Sequence, residues 1–338
     1  MRIALALALV GVLASATAAS ARNTASGVPH GFRPETAAAV GAHDLWVLGD
    51  GILLRSTDGG GEFARASLPP FPSQGEAPSV VFANARDGFA YVEGSTPLYV
   101  THDGGESWHR AGPRRDVSAF ATAGGFAYVV SDRHELERSR VSQDAWQRSS
   151  LAPLHLPFSL AARGSNVWFL GPPRHRPDYD TLALSSDHGR TFTPLKGPCL
   201  AELGGALAPA ADGVVWAVCP SGMMAWLALS TNDGRSFQVR SFHDPGGLHE
   251  PSLINAGRIA AATARVAILS RGAGGAFLRT TDRGRHWSPV AGTAGIQSVF
   301  WVAFSTSRVG TAIVQLRAGT RLWRTTDGGA AWRSVPIR

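Results

Sequence analysis

Two segments gather the side chains best suited to chemistry. In Phe242-His243-Asp244-Pro245-Gly246-Gly247-Leu248-His249-Glu250, two imidazoles and two carboxylates stand close together in the chain. Such donors suit a divalent ion of the zinc class. Their spacing matches no specific ligand motif, and the glycine pair leaves the loop too free to pre-form a site. The expectation is therefore no metal. In Pro172-Pro173-Arg174-His175-Arg176-Pro177-Asp178-Tyr179-Asp180 the cations and the aromatic ring suit an anion instead. Guanidinium groups offer a planar fork of donors to carboxylate or phosphate. Segments of the same loop-like character supply further cations, among them His134 and Lys196. The expected binding set is Arg114, Arg115, Arg133, Arg174, His175, Arg176, Tyr179, His243, Arg271, Arg317 and Arg321. The bland alternative for these arginines is a solvated, idle role. No nucleophilic triad can be assembled around a recognisable elbow, and no phosphate-cradling loop leads from a strand into a helix. Neither a catalytic residue nor a cofactor is expected.

Whole-chain charge points the same way. The net charge is +7 and the pI about 10.3, so a charged partner should be anionic. Nearly all the positive charge is arginine, with Lys196 the one lysine, which a GC-rich coding sequence would also produce. Nucleic acid is not expected, because the chain reads as exported and has no basic-aromatic platform.

The elements that must position these loops are set by a repeat. An octapeptide of pattern [ST]-x-[DN]-x-G-x-x-[WF] occurs at 56–63, 101–108, 185–192, 230–237, 280–287 and 325–332. Its third positions are Asp58, Asp103, Asp187, Asn232, Asp282 and Asp327. They are spaced by 45, 84, 45, 50 and 45 residues, and the long interval predicts a missing copy near its midpoint. Ser139–Trp146 fills the gap, keeping the first hydroxyl and last aromatic but carrying Val141 and Gln143 in place of Asp and Gly. Seven units of about 45 residues then account for residues 22–338.

Each unit reads as four strands. A small-residue strand such as Ala37-Ala38-Ala39 comes first, then an apolar strand such as Leu45-Trp46-Val47. A third strand such as Ile52-Leu53-Leu54 runs into the octapeptide, and a fourth begins at its aromatic residue. The expected fold is all-β, a single seven-bladed β-propeller of four-stranded antiparallel blades. The octapeptide is a prefabricated corner between third and fourth strands. Its carboxylate accepts N–H groups of its own turn, its hydroxyl braces the turn, and its Gly takes a left-handed conformation. These aspartates are structural rather than catalytic. Corners lie on one face, which places the second-to-third-strand loops and the blade-to-blade connections on the other. That second face is where sequence can vary without disturbing the blades, and where a partner is expected.

Residues 1–21 read as a secretory signal: Met1-Arg2, an apolar run from Ile3 to Leu13, and a cut after Ala21. A cut after Ala18 competes, and an uncleaved anchor remains open. No later stretch approaches the roughly 20 apolar residues needed to span a bilayer. A secreted or periplasmic, cell-envelope monomer is expected, with no stable membrane insertion once the signal is cut. The two cysteines, Cys199 and Cys219, both fall on the loop face of an exported chain, which predicts a disulfide. Two free thiols are the alternative.

The octapeptides resemble Asp-box (BNR) repeats, and the resemblance covers all seven units. That superfamily includes sialidases, sortilin-type receptors, xyloglucan-degrading enzymes and the photosystem II stability/assembly factor family. The chain is most similar to the last in size and in its T-T-D-G-G-x-x-W style of box. The resemblance implies a scaffold whose arginine-rich surface holds a partner protein during assembly. A sialidase resemblance implies an Arg-Ile-Pro element, carboxylate-binding arginines and a late tyrosine nucleophile. Here Phe32-Arg33-Pro34 lacks the Ile, no Tyr follows Tyr179, and Tyr91, Tyr99 and Tyr128 read as packing residues. Xyloglucan hydrolases use two propellers, and this chain has room for one. Two functional expectations follow. One is a non-catalytic exported scaffold docking a protein or anionic glycan. The other is a sialidase-like glycoside hydrolase with an incomplete catalytic set.

Overall fold

The computed structural model describes residues 28–71, 78–95, 97–112, 116–133, 135–149, 159–172, 178–201, 203–221, 224–240, 253–254, 257–270, 275 and 277–338. These form seven antiparallel sheets, each built from consecutive strands, with no helix among the described residues. Six sheets have four strands, and the fifth gains a short extra strand, Leu253–Ile254, against its third. The seven first strands are Thr36–Val40, Ser79–Phe82, Val117–Ala123, Ser159–Arg163, Ala206–Pro209, Ile259–Ala261 and Ser298–Phe304. Each touches the first strand of the next sheet, and the last touches that of the first, so the ring closes. This is the expected seven-bladed propeller, with small residues such as Ala37 and Ala38 on the innermost strand, where the blades crowd.

The apolar core is divided into seven layers, and every layer is shared by two neighbouring blades. Trp46, Leu48 and Leu53 of blade 1 pack with Val80, Phe82 and Tyr99 of blade 2. Trp216 and Leu227 of blade 5 pack with Leu269, Leu278 and Trp287 of blade 6. The closing layer joins Phe32, Val47 and Leu54 of blade 1 to Ile313 and Leu322 of blade 7. No strand is exchanged at this seam. It is held by that layer and by polar links: Ser305 Oγ donates to Gly41 O at 2.5 Å, and Arg324 Nη2 donates to Ala42 O.

The six intact octapeptides share one geometry. The first hydroxyl donates to the third-position oxygen at 2.7–2.9 Å and accepts the fifth-position N–H at 2.8–3.0 Å. The same third-position oxygen accepts the seventh-position N–H at 3.0–3.1 Å, and Asn232 serves as well as Asp. The fifth-position glycines all have positive φ, from 74° at Gly189 to 95° at Gly60. The fourth residue is also left-handed, even where it is His188, Asp233 or Arg283. That conformation aims its N–H at the hairpin joining first and second strands, as from Gly104 to Arg86 O (2.8 Å) and Asp233 to Gly213 O (2.8 Å). The outer strand begins one residue after the aromatic anchor, at Ala64 or Ser288 for example.

The eroded copy sits at the equivalent corner of blade 3. Its tether survives with a different donor: Val141 N–H reaches Gly125 O at 3.0 Å. Val141 is buried in the blade 2/3 layer, and Ser139 Oγ braces the turn by accepting Ala145 N–H at 3.1 Å.

Neighbouring blades are also strapped at these corners. The fourth-position carbonyl accepts a donor from the preceding blade: Trp46 Nε1 to Gly104 O (3.0 Å), Arg138 Nη1 to His188 O (3.0 Å), Trp168 Nε1 to Asp233 O (2.7 Å) and Arg279 Nε to Gly328 O (2.9 Å). Arg55, Arg138, Arg279 and Arg324 each immediately precede a box hydroxyl. Part of the arginine excess is therefore structural.

Candidate functional site

The loop face is where the sequence places a partner site. Of the expected binding set, Arg114, Arg115, Arg174, His175, Arg176, His243 and Arg271 lie outside the described residues. So does the His243–Glu250 segment considered for a metal. Arg133, Tyr179, Arg317 and Arg321 are described, and all four are exposed on this face.

Arg317 and Arg321 stand together over blade 7. Arg317 lies in the turn between second and third strands, and Arg321 follows at the start of the third. Arg321 is steadied by donating to Thr320 O (2.8 Å) and Ala318 O (3.3 Å), which orients the guanidinium without neutralising it. Beside them the innermost strand of blade 7 carries a β-bulge between Val299 and Trp301, and the extra residue is Phe300. Phe300 remains 45% exposed, unusual for a large apolar side chain on the innermost strand of a propeller. Bulges re-aim side chains in this way. Arg258 of blade 6 binds Val299 O through Nε (3.3 Å), bringing its guanidinium to the bulge. No Asp or Glu occurs between residues 283 and 326, so blade 7 brings no carboxylate to this sector. Phe300 and Arg258 were not expected from the sequence. A bulge has no local signature in Ser298–Phe304, though the acid-free run was visible.

Elsewhere the face is mixed in charge. Arg33, the guanidinium of the imperfect Arg-Ile-Pro element, is bound to Asp50 through Nε (3.0 Å) and Nη2 (2.8 Å), and its backbone N–H also reaches Asp50 (2.7 Å). These bonds hold the Asp50 carboxyl below its ordinary value. Arg33 is thus already committed to a carboxylate of the chain itself. Asp116, Asp132 and Asp178 also belong to this side.

Two of the four tyrosines hold their hydroxyl protons more tightly than usual. Burial, with Glu93 nearby, pushes the Tyr91 hydroxyl up to about 12, and burial does the same for Tyr128. Tyr99 is buried and donates to Pro70 O at 2.8 Å. Tyr179 is open to solvent, with the Lys196 ammonium 4.0 Å from its ring centroid. It starts the third strand of blade 4 at a register shift that buries its neighbour Asp180. Neither carboxylate oxygen of Asp180 has a partner among the described residues, and burial lifts its pKa to about 7.

Cys199 and Cys219 form the expected disulfide, with Cα atoms 5.0 Å apart. Cys199 lies near the end of the outer strand of blade 4 rather than in the following loop, because that strand extends to Leu200. The bond joins blades 4 and 5, and both cysteines are fully buried.

The opposite face belongs to the Asp-box corners. Their carboxylates are held low by hydrogen bonds that outweigh desolvation, to about 2 for Asp103 and Asp282. These oxygens are occupied within their own turns. A cavity of about 170 Å³ opens on this face, where Arg138, Arg140 and Arg190 surround Phe126.

Comparison with known proteins agrees with the fold. A family described as BNR/Asp-box repeat matches residues 99–110, the corner of blade 2. A structure of YCF48 bound to D1 peptide superposes with a TM-score of 0.64 at 19% identity, covering 87% of this chain and 92% of that one. YCF48 from Cyanidioschyzon merolae gives 0.60 at 14% identity, covering 89% and 97%. A mutant puromycin hydrolase complexed with PGG gives 0.61 at 14% identity, covering 93% of this chain and 54% of that one. No curated protein matches in sequence.

Proposed function

We propose that this Asp-box propeller is an exported, non-catalytic scaffold that docks an acidic segment of a partner protein on its loop face. The observation that carries the reading is the acid-free sector of blade 7. There Arg258 of blade 6 binds the bulge that exposes Phe300, and Arg317 and Arg321 stand at the second-to-third-strand hairpin of the same sheet. Guanidinium groups bind carboxylates bidentately, and an aromatic ring beside them supplies apolar contact area with little loss of side-chain freedom. Arg133 of blade 3 and Tyr179 of blade 4 lie on the same face, across the ring from blade 7. A solved relative in fold, YCF48, is bound to a peptide, which supports a peptide-sized ligand for this architecture. The engagement of Arg33 by Asp50, and the raised hydroxyls of Tyr91 and Tyr128, weigh against sialidase chemistry. Export rests on residues 1–21 acting as a cleaved signal.

The test is binding of acidic, neutral and basic peptide pools, and of sialylated and neutral glycans, to the purified chain. Acidic peptides should be retained, and binding should weaken as salt rises beyond about 0.15 M, where the Debye length is about 8 Å. The double variant Arg317→Ala/Arg321→Ala should reduce retention about tenfold or more, and Phe300→Ala should reduce it without changing the salt slope. Equal retention of basic peptides, or turnover of a sialoside abolished by Arg33→Ala, would overturn the reading. Retention of sialylated glycans alone would replace the protein partner with a glycan.

A further inference from the structure

At the joint between blades 2 and 3 the corner strap is missing. The eroded corner has no left-handed fourth residue, and among the described residues no indole or guanidinium of blade 2 reaches it. A different set of groups meets there. His102 occupies the second position of the blade 2 box, where the other intact boxes carry Thr57, Ser186, Thr231, Thr281 and Thr326. His109 opens the outer strand of blade 2, and Asp144 is the sixth residue of the eroded box. His109 Nε2 lies 2.7 Å from Asp144 Oδ2, and His102 Nε2 lies 3.6 Å from the same oxygen. One donor atom from each of the three lies within 4.8 Å of the others. The remaining nitrogen of His102, Nδ1, is 2.7 Å from Asp87 Oδ1. Asp87 is itself fixed by Asn84, which donates from Nδ2 (2.7 Å) and accepts the Asp87 N–H (2.8 Å).

We propose that His102, His109 and Asp144 bind one divalent transition-metal ion, zinc by the chemistry of the donors, and that the ion clasps blade 2 to blade 3. Two imidazoles and a carboxylate form a borderline donor set. It suits zinc and its neighbours rather than calcium or magnesium, which take oxygen ligands. Metal–ligand bonds of about 2.0–2.2 Å around a tetrahedral centre separate donor atoms by roughly 3.4 Å. The two observed separations, 2.7 and 3.6 Å, straddle that distance. Side-chain adjustment of a fraction of an ångström admits the ion, and His109 has the freedom for it, being half exposed. Asp87 stands where a carboxylate behind a ligating imidazole stands in zinc sites, fixing the tautomer that presents Nε2 to the metal. Three protein donors leave a fourth position open to solvent. None of the three residue types recurs at the equivalent place in another corner, so the site is a feature of this joint and not of the repeat.

The experiment is calorimetric titration of the chelator-stripped full chain with zinc chloride, alongside cobalt loading read by its visible spectrum. One ion per chain is expected, with cobalt bands of a four-coordinate nitrogen/oxygen site. His109→Ala and Asp144→Ala alter exposed groups and should each weaken binding more than tenfold. Asp87→Asn should weaken it about 10–100-fold while leaving the stoichiometry at one. His243→Ala/His249→Ala, which removes the imidazoles of the other donor-rich segment, should leave binding unchanged. Absence of zinc uptake, indifference to His109→Ala and Asp144→Ala, or loss of binding in the His243/His249 variant would each overturn the site.

Discussion

Asp180 allows a sharp test of the electrostatics of the fold. Its carboxyl is 2% exposed, has no hydrogen-bond partner among the described residues, and is pushed up to about 7 by burial. The unfolded chain titrates near the ordinary value of 3.8. The folded state therefore holds the proton more tightly. Its contribution to stability is complete below about pH 4 and is lost as pH rises through about 7. A separation of about three pKa units at 1.4 kcal/mol each amounts to about 4 kcal/mol across that window. Asp180→Asn keeps the shape and cannot ionise. At about pH 3.5 the variant and the parent should unfold at nearly the same denaturant concentration. At pH 8 the variant should be more stable by on the order of 4 kcal/mol, because the parent then carries a buried, uncompensated charge. Urea titrations of both proteins at half-unit pH steps give the difference directly, and the other carboxylates cancel between them. A gap that does not change with pH would show that folding does not raise the Asp180 pKa, and a variant weaker at pH 8 would show that the carboxylate is charged and paired in the folded protein.

Three further outcomes follow from the corners and the disulfide. Asp103→Ala should lower stability by about 1–3 kcal/mol, since the Glu106 and Ser107 N–H groups lose a charged acceptor. That loss should be measurable at neutral pH and should shrink below about pH 2, where the parent carboxylate is itself protonated. Val141→Asp should not restore the eroded box. Gln143 lacks the left-handed conformation of the intact fifth positions, and Val141 is buried in an apolar layer, so thermal unfolding should fall by several degrees. Reduction of Cys199–Cys219, or the double change to Ser, should cost about 3 kcal/mol in the chain-entropy view, read as a lower urea midpoint.

The fold was legible because its repeat is chemically compulsory. A hydroxyl, a short carboxylate or amide and a glycine at fixed spacing have few other uses, and even Ser139–Trp146 could be placed by interval alone. The left-handed His188, Asp233 and Arg283 were not legible, since nothing in those side chains demands the conformation. It is imposed by the tether from the fourth-position N–H to the neighbouring hairpin. The straps from Arg138, Arg279 and Trp168 were likewise hidden, because each depends on how one blade is rotated against the next. The same reason hid the meeting of His102, His109 and Asp144, while the Arg33–Asp50 pair joins the approach to blade 1 with a turn of the same blade. These contacts cross 17 to 42 positions of sequence, and no local pattern records them. Phe300 was missed for a different cause: a one-residue bulge reverses the facing of a side chain without altering its neighbours' types.

The seam between blades 7 and 1 has a topological consequence. Every blade is cut from one continuous piece of chain, and Phe32 shares a layer with Val335 and Ile337, so the first and last described segments already meet. Joining them with a short linker and opening the backbone between any other two blades would leave every sheet intact. The circle is therefore indifferent to its starting point, and order along the gene is only one of seven equivalent ways to write it.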